Sequence, residues 1–177
     1  MNREYETKVI NINVQEIIKK LEEIKANKVG DYFMRRWVYD INPNIPEWVR
    51  LRDNGEKVTL TYKKIYGNGI DEVEELETEV KNFDETAAIL AKTLKGRKAY
   101  QESKRILYEF NGIEFAIDEW PQLEKYIEVE SSSIEKVNEG LKLLGLEGKD
   151  IGNVSVVDLY KEKGIDLNSF EEFKFEN

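Results

Sequence analysis

Residues 48–64, WVRLRDNGEKVTLTYKK, read as two strands folded back on a tight turn. Asn54-Gly55 sits between them, and Asn-Gly is a strong hairpin signal because both residues tolerate positive φ. Successive side chains of a strand point to opposite faces. Arg50 and Arg52 therefore share one face of the first strand, and Thr59, Thr61 and Lys63 share one face of the second. Val58, Leu60 and Tyr62 fall opposite. One face is charged and polar, the other apolar.

The same alternation recurs along the chain. Eight strand patterns stand at about 3–10, 31–41, 47–53, 56–66, 70–81, 99–109, 112–119 and 125–131. Asn111-Gly112 marks a second hairpin, and the glycines of IYGNGID a third turn. The charged face continues through Glu4, Glu6 and Lys8; Glu75, Glu77 and Glu79; Arg105; Glu114 and Asp118; and Glu128 and Glu130. Leu76, Val80, Ile106, Tyr108, Ile113, Phe115, Ile117, Ile127 and Val129 face the other way.

Helices fit the gaps. Asn13 and Glu16 open one that is expected to run to about Lys28. DETAAILAKTLKG is a second, closed by Gly96. A third starts at Ser132 with Glu135 and ends at Gly145, and a fourth starts at Ser155 with Asp158 and ends at Gly164. The tail IDLNSFEEFKFEN has no clear pattern.

Antiparallel hairpins with helices between them give an α+β class, with the apolar sheet face under the helices. The plainer reading of the charged face is that water covers it. Two features favour an enclosed face instead. Both signs of charge cluster tightly on it, and eight strands can close into a barrel with no exposed edge. The expectation is one domain over residues 1–177: a closed eight-stranded antiparallel β-barrel, a tunnel lined by acids and bases, with helices outside. Burying that much charge is costly unless it is paired or used, so the tunnel would be a functional site.

Composition narrows the chemistry. The chain has 177 residues, no histidine and no cysteine. Histidine bases, HExxH zinc sites and thiolate nucleophiles are excluded. A metal held by oxygen alone would be hard, such as Mg²⁺, Mn²⁺ or Ca²⁺. A net charge of −9 argues against a general nucleic-acid binder. No apolar run is long enough to span a membrane. Polar, patterned first residues leave no room for a secretory signal, and a cytoplasmic address is expected.

The Glu-x-Glu-x-Lys of Glu4, Glu6 and Lys8 resembles the signature of the CYTH domain, the triphosphate tunnel metalloenzymes. The segment quoted first resembles that family's Arg-x-Arg strand and Lys-bearing strand, with Arg50, Arg52 and Lys63. EELETEV is similar to its acidic strand, Glu75 and Glu77 being the matching acids. SKRILYEFNGIEFAIDEWPQLEKYIEVE resembles its closing segment, with Arg105, Asp118, Glu128 and Glu130. The matches follow in order over residues 4–130. One position departs: where the family commonly has Lys-x-Arg, this chain has Ser103-Lys104-Arg105.

The resemblance implies a divalent-metal-dependent enzyme with Mg²⁺ or Mn²⁺ acting on a triphosphate-containing small molecule. Glu4, Glu6 and Glu130 would hold the main metal, with Asp118 and Glu128 assisting or placing a second. Lys8, Arg50, Arg52, Lys63 and Arg105 would grip phosphates, and Lys8, Glu75 and Glu77 are the candidate catalytic residues. The leading expectation is a triphosphatase acting on inorganic triphosphate, thiamine triphosphate or a nucleoside triphosphate. Alternatives are an adenylyl cyclase making cyclic AMP and pyrophosphate, and a non-catalytic polyphosphate or nucleotide binder. Phe170, Phe173 and Phe175 suit either a homodimer contact or packing on the barrel, so the oligomeric state stays open.

Overall fold

The computed structural model describes residues 5–42, 44–45, 47–65, 73–96 and 98–176. In chain order the elements are β1 (Tyr5–Val9), α1 (Val14–Glu23), β2 (Asn27–Asn42), β3 (Glu47–Asp53), β4 (Val58–Ile65), β5 (Val73–Val80), α2 (Phe83–Thr93), β6 (Lys98–Phe110), β7 (Ile113–Glu119), β8 (Tyr126–Ser131), α3 (Ile134–Leu143), α4 (Val156–Glu162) and β9 (Glu172–Phe173). The strand order is β1-β8-β7-β6-β2-β3-β4-β5, with β9 added beside β6. By internal contacts the chain divides into two units, Met1–Tyr32 with Lys104–Asp166, and Phe33–Ser103 with Leu167–Asn177.

In the first unit, β6 and β7 form a hairpin around Asn111 (φ 52) and Gly112 (φ 74), the two positive φ values that a two-residue turn requires. The apolar face predicted by alternation is realised here. Ile113, Phe115, Ile117, Ile127 and Val129 are buried and pack with Ile17 and Leu21 of α1 and with Val137 and Leu141 of α3. Gly140 lets α3 sit close. A Cβ there would lie 2.8 Å from Val129 Cγ1 and 3.0 Å from Ile113 Cγ2.

Helix α1 stops well before Lys28. Lys25 takes φ 58, and the Ala26 N–H donates to the Leu21 carbonyl at 2.9 Å while the Lys25 N–H donates to that of Glu22. This is a Schellman stop with lysine where glycine is usual, so no glycine advertised it. The same stop closes α3 at Gly145 and α4 at Gly164, as the glycines predicted. The N-cap of α3 is Ser133, one residue after the predicted Ser132.

In the second unit, α2 packs on β3. Leu51 and Phe83 are buried, the Tyr39 hydroxyl donates to the Ala87 carbonyl at 3.2 Å, and the Arg35 guanidinium lies 4.3 Å from the Phe83 ring centroid. The β3–β4 turn is a four-residue loop in which Gly55 takes φ 87 and Asn54 Oδ1 accepts from the Glu56 and Lys57 N–H groups. Helix α2 is capped at Asn82 and ends at Thr93. Gly96 does not cap it in the left-handed region; it is needed because a Cβ there would strike the Asp40 carbonyl. The unpatterned tail supplies β9, whose Phe173 is buried against Gln101 in parallel register with β6. The IYGNGID turn lies outside the described residues.

The expected closed eight-stranded barrel is not what forms. The sheet has nine strands, and among the described residues no ladder joins its two end strands, β1 and β5. Each edge is managed separately. The free edge of β1 is covered by residues 150–152: the Ile151 N–H donates to the Lys8 carbonyl at 2.9 Å, the Lys8 N–H donates to that of Gly152 at 3.2 Å, and the Thr7 hydroxyl donates to Asp150. Strand β5 carries Glu74, Glu75, Glu77 and Glu79, and leaves Leu76 64% exposed. Acidic side chains along an edge disfavour pairing with another strand. Strand count allows closure; with both edges already protected, nothing requires it. The α+β class stands. The apolar face does not lie wholly under helices, because α2 covers β3 and leaves Leu76 open.

Candidate active site

Register brings the first unit's charged side chains together. Glu6 lies opposite Glu130, and Lys8 opposite Glu128, across β1 and β8. Glu130 in turn faces Glu114 on β7, and Asp118 faces Arg105 across β7 and β6. Because facing residues share one side of the sheet, three carboxylates stand in one row.

Arg105 grips Asp118 with both prongs: Nε donates to Oδ1 and Nη2 to Oδ2, each at 2.7 Å. Its Nη2 also donates to Glu128 Oε1 at 3.2 Å. The other oxygen of Glu128 lies 3.1 Å from Lys8 Nζ, which lies 3.3 Å from Glu6 Oε1. Glu128 is thus the hinge of a chain running Asp118, Arg105, Glu128, Lys8, Glu6. Burial disfavours the charge on each of Lys8, Arg105 and Glu128, and the neighbouring opposite charges outweigh it. Glu128 and Glu6 hold Lys8 above the usual lysine range, and Asp118 and Glu128 hold Arg105 well above its own. Arg105 and Lys8 hold Glu128 below the usual carboxylate range. All three are charged at neutral pH.

Carboxylate oxygens of Glu6, Glu128 and Glu130 lie within 4.8 Å of one another. Two oxygens sharing one Mg²⁺ at about 2.1 Å each can be at most about 4.2 Å apart. Side-chain rotations closing about 0.6 Å would bring these to that range, and an all-carboxylate donor set suits a hard divalent cation. Like charges directly opposite on neighbouring strands repel, so a cation between Glu6 and Glu130 would relieve the row. Glu6 and Glu130 fit such a metal, while both oxygens of Glu128 already meet Arg105 and Lys8. Asp118 is not in this trio; both its oxygens meet Arg105. Glu4, the remaining predicted ligand, lies outside the described residues.

The second unit gathers most of the other predicted residues. Arg36 of β2 faces Arg52 of β3, which faces Thr59 of β4. Arg50 faces Thr61, which faces Glu77, while Lys63 faces Glu75. Lys63 Nζ lies 3.0 Å from Glu75 Oε2, and Arg50 Nη2 lies 3.7 Å from Glu77 Oε2. The Thr61 hydroxyl donates to Glu77 at 2.7 Å. Glu75 and Glu77, predicted as catalytic, are here the ion-pair partners of Lys63 and Arg50. Ser103 is fully buried and accepts from Arg36 Nη2 at 3.0 Å. Arg36 was absent from the predicted set: β2 mixes Met34, Arg36 and Val38 along one face, so alternation alone marks no charged row there.

The CYTH domain model matches residues 2–152. The chain belongs to the CYTH domain family. No curated protein matches it. Among solved structures it is similar to the PH1012 protein of Pyrococcus horikoshii OT3, at 21% identity and a TM-score of 0.74, over 88% of this chain and 98% of that one. A Vibrio parahaemolyticus protein described as an adenylate cyclase candidate is 13% identical with a TM-score of 0.69, over 90% and 98%. HpAC1 from Hippeastrum, an adenylyl cyclase candidate described as having a dominant triphosphatase activity, is 14% identical with a TM-score of 0.62, over 94% and 98%. At these identities the likeness is one of fold. The CYTH match covers every predicted site residue and stops short of α4 and β9. No helix among the described residues is long and apolar enough to cross a membrane.

Proposed function

We propose that this CYTH protein is a divalent-metal-dependent triphosphatase releasing orthophosphate from inorganic triphosphate, thiamine triphosphate or a nucleoside triphosphate. The observation that carries the reading is the cluster of Glu6, Glu128 and Glu130, two hard-metal donors and an acid that ties them to the charged Lys8 and Arg105. Glu6 and Glu130, with Glu4, would hold Mg²⁺ or Mn²⁺, and Glu128 anchors the row by binding both cations. When bound, the metal supplies positive charge at the transferring phosphoryl group.

The chain's own residues set the rest. Lys8 is held protonated, so it serves as a fixed positive charge and hydrogen-bond donor toward phosphate oxygens; it is not a general base. Arg105, clamped by Asp118, is presented in one orientation rather than searching several, which lowers the entropy cost of meeting an anion. Arg50, Arg52 and Lys63 would bind phosphate oxygens, the arginines through paired N–H donors. Glu75 and Glu77 keep those cations ordered until a polyanion displaces them. HpAC1, which shares this fold, is described as having a dominant triphosphatase activity, and that supports hydrolysis over cyclisation as the proposal for this chain.

Calorimetric titration with Mn²⁺ tests the metal assignment. Glu6→Gln and Glu130→Gln are expected to weaken Mn²⁺ binding by more than about tenfold. Unchanged affinity in both variants would remove the trio as a metal site.

A further inference from the structure

Helix α4 lies beyond residue 152, where the CYTH match ends, yet it belongs to the same unit as Arg105, Asp118 and Glu128. Its Tyr160 is fully buried and meets the β7–β8 connection twice. The hydroxyl donates to the Pro121 carbonyl at 2.6 Å, and the ring stands edge-on to Trp120 with centroids 6.4 Å apart. Just past the helix, Lys163 Nζ lies 3.6 Å from Glu124 Oε1 on the same connection. The carbonyl that Tyr160 holds decides the turn. The Leu123 N–H donates to the Trp120 carbonyl at 3.2 Å, and Gln122 takes φ 58. Proline at the second position and positive φ at the third make residues 120–123 a type II turn. Glycine or asparagine usually fills that third position, and a glutamine carries the steric penalty of its Cβ there. A type I turn spans the same four residues without that penalty, and differs by a flip of the middle peptide, whose oxygen belongs to Pro121. The Tyr160 hydroxyl thus holds this peptide in the orientation that Gln122 disfavours.

We propose that Tyr160 is a positioning residue for the candidate site: it selects the β7–β8 turn and, through it, the placement of the carboxylate that orients Arg105. A flipped peptide would redirect residues 123–125, the stretch that returns the chain to Tyr126. Tyr126 faces Asp118 across the hairpin, and Asp118 clamps Arg105 with both oxygens. Turn type sets how the strands of a hairpin meet, so the flip reaches the clamp within two residues on either strand. Glu6 and Glu130 stand on β1 and the far half of β8, and the flip leaves them in place. The consequence for substrate rests on the triphosphatase reading; the effect on the Arg105 clamp does not.

The test compares wild type, Tyr160→Phe, Gln122→Gly and the double variant by NMR, with KM and kcat for inorganic triphosphate in Mn²⁺. Tyr160→Phe keeps the ring against Trp120 and deletes the hydroxyl alone. A type II turn brings the Pro121 Hα close to the Gln122 N–H, so a strong nuclear Overhauser effect between them marks it. In Tyr160→Phe that effect is expected to weaken, and exchange of the Arg105 Nε–H with water to quicken about 3- to 10-fold. KM should rise by a similar factor with little change in kcat or in Mn²⁺ affinity. Glycine accepts positive φ without help, so Gln122→Gly alone should behave as wild type and should restore the clamp when added to Tyr160→Phe. A general loss of stability would move Mn²⁺ affinity too, and a glycine in one turn would not repair it. Should Tyr160→Phe fail to fold, the double variant decides: recovery is expected, and failure of both overturns the proposal. A folded Tyr160→Phe with an unchanged turn signal and unchanged Arg105 exchange overturns it as well. If the clamp loosens as expected but wild type neither binds nor hydrolyses triphosphate, the positioning role stands and the triphosphatase reading falls.

Discussion

Lys8 is nearly buried, with a side chain 5% exposed, and is bracketed by Glu128 and Glu6. Removing it would strand a buried carboxylate with Arg105 as its remaining cation. Lys8→Met is therefore expected to cost about 3 kcal/mol by urea denaturation at pH 7; a neutral or stabilising result would contradict the pairing. The pH profile follows from the directions of the shifts. Lys8 is raised on folding, so its contribution is complete below the ordinary lysine value of 10.5 and is lost as pH climbs through the folded value. Glu128 is lowered, so its contribution is complete above 4.5 and is lost as pH falls through its folded value. Wild type should show a stability plateau between these limits, and Lys8→Met should lose the alkaline decline that Lys8 contributes. At this scale the shared face of these acids and bases was legible because strand alternation assigns a face without knowledge of register. What was not legible was pairing. That Arg105 clamps Asp118 and shares Glu128 with Lys8 depends on which residues face each other across β1, β8, β7 and β6. One sequence does not encode that visibly.

Among the elements, α3 is the one whose approach to the sheet is fixed by a single atom. Gly140→Ala gains helix propensity, yet its Cβ would enter contact with Val129, Ile113 and Phe115. The clash is expected to win, with a net destabilisation of about 1–2 kcal/mol by thermal or urea unfolding; a stabilised variant would show that α3 can lift without loss. Turn chemistry made the elements readable: Asn54-Gly55, Asn111-Gly112, Gly145 and Gly164 all stand where the chain turns or a helix stops. Misreadings came where another residue took glycine's role, as Lys25 does at the end of α1, or where neighbouring serines competed, as Ser132 and Ser133 do before α3. The tail hid β9 because a two-residue strand has no period to detect.

At the scale of the molecule, the α+β class followed from alternation and hairpins, and closure did not. Whether a sheet closes depends on tilt, stagger and what covers the edges. Here residues 150–152 sheathe β1, and acids guard β5. Neither device is visible as a strand signal. The proposed chemistry draws on the group of side chains that register assembles in the first unit, acidic with Lys8 and Arg105. Product analysis with Mg²⁺ or Mn²⁺, offering inorganic triphosphate, thiamine triphosphate and ATP in parallel, tests that reading most directly. Metal-dependent release of orthophosphate from at least one of them is predicted. Cyclic AMP with pyrophosphate from ATP, or no turnover of any of the three, would contradict it.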